Sequence, residues 1–179
     1  MTFPTKINNV IPIFAQSFFK SENIFFLTQS NLIIILNCLK LHINYQYNLL
    51  SAISGVDYLY SKYRFHVVYE LLSLTFNSRL RLKICINEIS SVYSATTVFI
   101  NANWWEREIW DLYGIYFENH LDLRRILTDY GFEGYPMRKD YPLSGFIELR
   151  YDQIKKRIII ESIELTQDFR SFNFETPWQ

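Results

Sequence analysis

FHVVYELLSLTF (Phe65–Phe76) and RLRLKICI (Arg79–Ile86) are the segments that decide the fold class. In the second, Arg79, Arg81 and Lys83 alternate with Leu80, Leu82 and Ile84. A period of two puts the charged side chains on one face of a strand and the aliphatic ones on the other. Asn77-Ser78 stands between the segments and supplies turn-forming residues. The pair therefore predicts a β-hairpin with one wet face and one face that must be covered.

Upstream, Tyr47–Leu59 reads as a further strand, with Val56 and Tyr58 beside Gly55. Leu32–Leu41 has a continuous apolar face and a closing Lys40, and Ser30 is placed to cap it as a helix. Asn23–Thr28 is a short β-type run. Residues 7–19 (INNVIPIFAQSFF) set Val10, Phe14 and Phe18 at helical spacing, with Pro12 in a first turn, and predict a short amphipathic helix. Downstream, 89–103 is read as helix from its flanks, although Thr96, Thr97, Val98 and Ile100 are β-branched. The sum is an α+β fold: a small antiparallel or mixed sheet packed with helices.

Trp104–Arg150 (WWEREIWDLYGIYFENHLDLRRILTDYGFEGYPMRKDYPLSGFIELR) is of a different kind. At about 100° per residue, a helix over 104–113 gathers Arg107, Glu108 and Asp111 on one face and Trp105, Ile109, Leu112 and Tyr113 on another. Glu106 falls on the apolar side, where an unpaired charge is costly, so it requires a partner. Asn103 and Glu106 have the spacing of a capping box, and Gly114 supplies a left-handed stop. Beyond it Gly131, Gly134, Pro136, Pro142 and Gly145 punctuate the chain with turns, Lys155–Ile163 reads as one late strand, and 168–179 as an irregular tail. A long run with so little regular structure is uncommon inside a compact domain unless it is functional or disordered. This one is too rich in Tyr, Phe, Leu and Ile for disorder. The expected organisation is an α+β domain over 1–114 and an extended docking segment over 115–179 that wraps a neighbouring subunit.

Composition narrows the functions. With 179 residues, 49% hydrophobic and 18% aromatic, the chain can bury a core but not every aromatic ring, so some belong to a partner surface. A net charge of zero leaves no global field for nucleic acid or an anionic membrane. Residues 1–100 hold 8 basic and 4 acidic groups and 101–179 hold 10 and 14, so the halves differ in sign. Cys38 and Cys85, the only cysteines, are not at metal or redox spacing and read as inert thiols in a reducing compartment. No run is apolar enough for a membrane span, and MTFPTKINNVIPIF has neither a signal nor a transit pattern. The protein is thus expected to be made where it works, or already processed. Abundant Phe, Ile, Tyr and Asn with only 4 Ala and 5 Gly are what AT-rich codons specify, which fits an organelle-encoded gene.

The candidate chemistry is sparse. Glu106, Glu108, Asp111, His120 and Asp122 could form an oxygen-rich metal site or a carboxylate pair for acid–base catalysis. An Arg107–Asp111 ion pair at i, i+4 is the simpler account. His42 and His66 lie in apolar runs and read as core or edge residues. Arg124, Arg125, Arg138 and Lys139 with nearby tyrosines form a conceivable nucleic-acid surface, opposed by the acidic excess around them. Phosphate-binding loops, dinucleotide fingerprints, cysteine clusters and nucleophile elbows are missing from the sequence.

Glu106–Gly114, His120, Asp122–Gly134 and Arg138-Lys139-Asp140, continued by Pro142–Gly145, Glu148–Tyr151 and Pro177-Trp178, resemble a known family. So do Arg64–Tyr69 and Asn77–Arg79. The family is that of NADH dehydrogenase subunit 9, the 30-kDa (C-type) subunit of respiratory complex I, and the likeness is weak only over the first 60 residues. The resemblance implies a mitochondrial inner-membrane complex that oxidises NADH, reduces ubiquinone and pumps protons. Within it this subunit would sit in the hydrophilic, matrix-facing arm beside the 49-kDa quinone-site subunit and the small iron–sulfur subunits. It implies no catalytic, metal or cofactor-binding residue in this chain, with NADH, FMN, iron–sulfur clusters and ubiquinone all held by other subunits. Leu121 stands where the family commonly has Pro, Tyr135 where it often has His, and Tyr141 where it often has Phe. These departures leave one turn less fixed and argue against a protonation role for the loop itself. Two alternatives stand beside this expectation: an independent carboxylate metalloenzyme using Glu108, Asp111 and His120, and a transient assembly factor.

Overall fold

The computed structural model of the chain describes residues 12–19, 22–170 and 172. Its main sheet is built on the hairpin read from the sequence, β4 (Phe65–Ser73) and β5 (Ser78–Ile86). β3 (Leu49–Asp57) adds antiparallel to β4, β2 (Glu22–Leu27) adds parallel to β5, and β1 (Ala15–Phe19) adds antiparallel to β2. The strand order is β1-β2-β5-β4-β3. The sheet is therefore mixed, and the class is α+β.

Strand alternation determines which side is covered. Val67, Tyr69 and Leu71 of β4 pair with Ile84, Leu82 and Leu80 of β5, and all six are buried. In β3, Leu50 and Ile53 both face inward although they stand three positions apart, an offset that in a regular strand puts side chains on opposite faces. A bulge between Leu50 and Ala52 shifts the phase so that both reach the core. α1 (Leu32–Leu41) lays Leu32, Ile35, Leu36 and Leu39 into this cluster, and α2 (Ala102–Tyr113) adds Ala102 and Ile109. On the opposite face Arg81 bridges Glu70 (2.5 Å) and Glu22 (3.2 Å), and the His66 ring stacks on Tyr58. Long polar side chains cover this face, as the alternating arginines and lysine of β5 predict.

Several expectations are corrected. Residues 12–19 of the predicted first helix contain strand β1 instead, while 7–11 lie outside the described residues. The Phe14 and Phe18 spacing resembles a helix face, but the chain pairs with β2 and leaves Phe14 82% exposed. Long-range hydrogen bonding overrides local periodicity here. Ser30 sits inside a 3-10 turn, Gln29–Asn31, so α1 begins after Asn31 without a side-chain cap. The 89–103 helix is replaced by β6 (Val92–Tyr93) and a 3-10 turn, Ala95–Thr97, whose Thr96 amide donates to Ser94 Oγ. β6 pairs in parallel with β7 (Phe117–Glu118). The predicted turn at Asn77-Ser78 becomes a turn over 74–77, closed by Asn77 at φ 45°.

Contacts divide the chain into one unit that ends at Tyr141 and a second that begins at Pro142. Residues 115–141, read from the sequence as the start of the docking segment, fold against α2 in the first unit. In the second unit the late strand is present as β9 (Arg157–Ser162), and it pairs antiparallel with β8 (Ile147–Asp152) inside the segment expected to be irregular. The signal for β8 was the alternation of Ile147, Leu149 and Tyr151.

Gly55 of β3 packs against the Tyr113 ring of α2. A Cβ there would stand 2.7 Å from Cδ2 of the Tyr113 ring. Gly55→Ala is expected to cost about 1–3 kcal/mol by overpacking, and less in a Tyr113→Leu background, because the two sites share one contact. Urea denaturation of the four proteins of this double-mutant cycle measures both quantities.

Candidate docking surface around the charged helix

α2 starts at Ala102, two residues before the expected start, and ends at Gly114, whose φ of 76° and amide bond to the Trp110 carbonyl make the left-handed stop. A side chain at Gly114 would meet the Tyr135 ring at 2.6 Å, so the stop also admits the returning loop. Asn101 precedes the helix without capping it, because its amide donates to the Leu50 carbonyl of β3 at 2.8 Å. The capping box predicted between Asn103 and Glu106 does not form; Asn103 lies inside the helix and Glu106 has other partners.

Glu106 has no exposed surface. Its Oε1 accepts from the Ala95 amide and its Oε2 from the Ser94 hydroxyl, both at 2.6 Å. His120 Nε2 lies 3.8 Å from Oε2. Burial pushes the carboxyl up to about 7 against the pull of the Ser94 and Ala95 donors. His120 Nδ1 accepts from the Asp122 amide (3.1 Å), so Nε2 carries the hydrogen and donates to the Asn103 carbonyl at 3.3 Å. The partner required by the sequence is thus a turn of the same chain.

Asp111 is equally buried and is satisfied in the opposite manner. It accepts from the backbone amides of Ile126 (3.1 Å), Leu127 (2.6 Å) and Thr128 (3.0 Å), from Thr128 Oγ1 (2.6 Å), and from Arg125 Nη1 at 3.4 Å. Burial raises its carboxyl, but the Thr128, Leu127 and Ile126 hydrogen bonds outweigh that and hold it below the ordinary value. The expected Arg107–Asp111 pair gives way to this nest. Arg107 instead lies over the Trp104 ring and donates to the Arg124 carbonyl at 3.4 Å.

The loop after α2 is tied down by an alternating stack of arginines and rings. Arg64 and Arg138 both lie over Phe65 (5.1 Å each), Arg138 and Arg125 over Tyr135 (4.6 and 5.0 Å), and Arg125 also over Phe132 at 6.0 Å. Arg138 Nε donates to the Tyr113 carbonyl at 2.7 Å. Arg64, at one end of the stack, also binds Asp57 with two nitrogens, Asp140 at 2.8 Å, and Glu88. Asp57 also accepts the Lys139 amide at 2.8 Å. This charge network fastens 138–140 to the ends of β3 and β4.

The sequence candidates for a metal or catalytic centre are therefore dispersed. Glu106 and His120 approach each other, Asp111 faces 126–128, exposed Asp122 pairs with Arg124 at 3.0 Å, and Glu108 is half-buried elsewhere on the helix. Among the described residues, no group of three or more His, Cys, Asp or Glu is placed to hold a metal ion. His42 stacks on Tyr45 after α1, His66 lies on the outer sheet face, and Cys38 and Cys85 are free thiols on α1 and β5. Arg125 and Arg138 are committed within the chain. No local spacing in the sequence marks Ser94, Thr128, Arg64 and Tyr135 as support residues. Outside these internal bonds the surface offers Trp104, Leu127, Tyr130 and Met137, with Leu121 92% exposed.

A family described as the respiratory-chain NADH dehydrogenase, 30 Kd subunit, matches residues 25–147. NADH-ubiquinone oxidoreductase subunit 9 of Reclinomonas americana is 50% identical over 177 residues, which is 99% of this chain and 84% of that protein. The subunit 9 of Prototheca wickerhamii is 49% identical over 160 residues, 89% of this chain and 83% of the relative. NADH dehydrogenase [ubiquinone] iron-sulfur protein 3 of Beta vulgaris is 55% identical over 141 residues, 79% and 73% of the two chains.

Removing the Asp111 carboxylate strands three backbone amides, so Asp111→Ala is expected to lose about 3 kcal/mol in urea denaturation. A group with a lowered folded value contributes stability that is fully present above its unfolded value near 3.8 and lost as pH falls through the folded one. The stability gap between wild type and Asp111→Ala should accordingly stay level from neutral pH down to that value and narrow only in stronger acid.

Proposed function

The chain belongs to the 30 kDa subunit family of the respiratory-chain NADH dehydrogenase, complex I, and from that membership we propose a structural and assembly role with no active site of its own. In this role it supports electron transfer from NADH to ubiquinone by holding neighbouring subunits in register in the peripheral arm. Its partners are the 49-kDa quinone-site subunit and the small iron–sulfur subunits, and its place is the matrix side of the mitochondrial inner membrane, with an organelle-encoded gene.

The observation that carries this proposal is the β8–β9 hairpin. Ile147, Leu149 and Tyr151 share one face with Ile158 and Ile160, and all five are exposed. The other face is charged and carries the Arg150–Glu161 pair at 2.7 Å. An isolated two-stranded hairpin is marginal in water, and an apolar face of this kind marks a protein interaction site. We therefore assign the segment 115–179 to docking, the loop up to Tyr141 presenting Leu121, Leu127, Tyr130 and Met137, and the hairpin presenting its aliphatic face. The loop up to Tyr141 is supported from within by Asp111 and the arginine stack.

No redox centre is proposed for the chain. A typical iron–sulfur cluster takes four cysteine thiolates, and the sequence has two cysteines, one on α1 and one on β5. No helix among the described residues is long and apolar enough to cross a membrane, so attachment to the membrane is assigned to other subunits.

Native-gel separation of solubilised mitochondrial membranes, stained for NADH dehydrogenase activity and blotted for this chain, tests the proposal. Co-migration with the active complex is expected; free monomer in every fraction overturns it, and presence only in subassemblies marks a transient factor instead. Leu149→Asp with Ile160→Asp should lower the assembled amount roughly tenfold or more, since each lost aliphatic burial is worth about 1.5–3 kcal/mol. Glu106→Ala or Arg107→Ala should likewise reduce the amount of complex more than the turnover per complex. Equal assembly with reduced turnover would contradict a structural role.

A further inference from the structure

The Ser94–Glu106 contact continues to the surface. Ser94 Oγ, which donates to Glu106 Oε2, also stands 2.7 Å from Thr96 Oγ1 and accepts from the Thr96 amide at 3.2 Å. Thr96 is half-buried, whereas Ser94 and Glu106 are buried, so the hydroxyls form a chain that leads from a partly exposed residue to the carboxyl. The groups facing it leave the carboxyl without a committed cation. Arg107 on the same helix is engaged with Trp104 and Arg124, and Lys40 of α1 donates to the Val98 carbonyl at 2.6 Å. Glu118 of β7 accepts from Ser91. Tyr69 of β4 is fully buried, and its hydroxyl has no hydrogen-bond partner among the described residues. Burial, then the charge of Glu106, raises the Tyr69 phenol well above its ordinary value, so it stays protonated. On the remaining side stands His120.

We propose that Glu106, Ser94 and Thr96 form a reversible proton-binding relay that sets the position of the His120 turn and so makes the Leu121–Asp122 surface responsive to protons. In the charged state Ser94 donates to Oε2 and accepts from Thr96. To load the site, a proton from water reaches Thr96 Oγ1, Thr96 passes its own to Ser94, and Ser94 passes its own to Oε2. One proton has entered, both hydroxyls are intact, and every bond in the chain has reversed direction. The Ala95 amide bond to Oε1 serves both states. In the charged state Oε2 attracts the Nε2 hydrogen of His120; once protonated it does so no longer, and the ring settles on the Asn103 carbonyl. Nδ1 holds the Asp122 amide, so the movement passes to the turn that carries Leu121.

Burial favours the neutral acid, and a folded value of about 7 against the ordinary 4.5 gives the direction. Stability from proton binding is fully present below 4.5 and is lost as pH rises through about 7. The test is an infrared and backbone-amide NMR titration of the full chain from about pH 5 to about pH 9, on wild type, Glu106→Gln and Ser94→Ala. A protonated-carboxyl band absent from Glu106→Gln should titrate near neutrality in wild type, and the Leu121 and Asp122 backbone amide signals should follow the same midpoint in wild type and stay still in Glu106→Gln. Ser94→Ala keeps the carboxyl and the Ala95 amide but loses one donor to the anion. Its midpoint should therefore rise by about one pH unit or more. A band that titrates only in the ordinary glutamate range, a Ser94→Ala midpoint that does not move, or Leu121 and Asp122 amide signals independent of the carboxyl would each overturn the proposal.

Discussion

A carboxylate removed from water must be given donors, and α2 carries two such groups, Glu106 and Asp111, with no exposed surface. The route of the chain on both sides of the helix follows from meeting that demand. Before the helix, the 92–97 segment tightens into a 3-10 turn that offers Ser94 and Ala95 to Glu106. After it, residues 125–128 curl so that successive amides and a hydroxyl converge on Asp111. An apolar side chain at either position would fill space but could not specify the path of an irregular loop, since only a hydrogen-bond acceptor orients backbone amides.

The two carboxylates are satisfied differently. Asp111 receives several amide and hydroxyl donors together with an arginine and stays charged, as befits an anchor. Glu106 receives two donors, which do not offset its burial, so its proton affinity rises toward neutral pH. Environment, not residue type, separates a fixed support from a titrating one. The arginine–aromatic stack from Arg64 to Phe132 and the Asp57 network complete the support by fastening 138–140 to the sheet. A loop almost devoid of regular structure is thus tied down by side chains in place of a ladder of its own.

Legibility in the sequence followed the range of the interactions. The hairpin, α1, α2 and the glycine stop were readable because period two, period 3.6 and left-handed geometry are local properties. Glu106 was recognised as needing a partner because it falls on an apolar helix face, yet Ser94 could not be named. The 89–103 stretch departs from the helix that its flanks suggest because it answers Glu106 and β7, in keeping with its β-branched residues. β1 was misjudged because the spacing of Phe14 and Phe18 suits a helix, while the hydrogen bonds of β2 lie outside that window. β8 was overlooked although its alternation is plain once Ile147, Leu149 and Tyr151 are set beside Ile158 and Ile160.

By itself the sequence determined the α+β class, the wet and dry faces of the central hairpin, the amphipathic α2 with its stop at Gly114, and, through the motifs from Arg64 to Asp140, the family. These depend on side-chain order along a few turns or strand residues. Only the tertiary structure decided that β2 joins β5 in parallel, that Arg107 leaves Asp111 to the 126–128 amides, and that Arg64 reaches Asp140 across 76 positions. Such choices compare the whole set of donors, acceptors and rings that folding brings within a few ångströms. A buried charge takes the best donors available in space, and the order of residues in the chain does not say which those are.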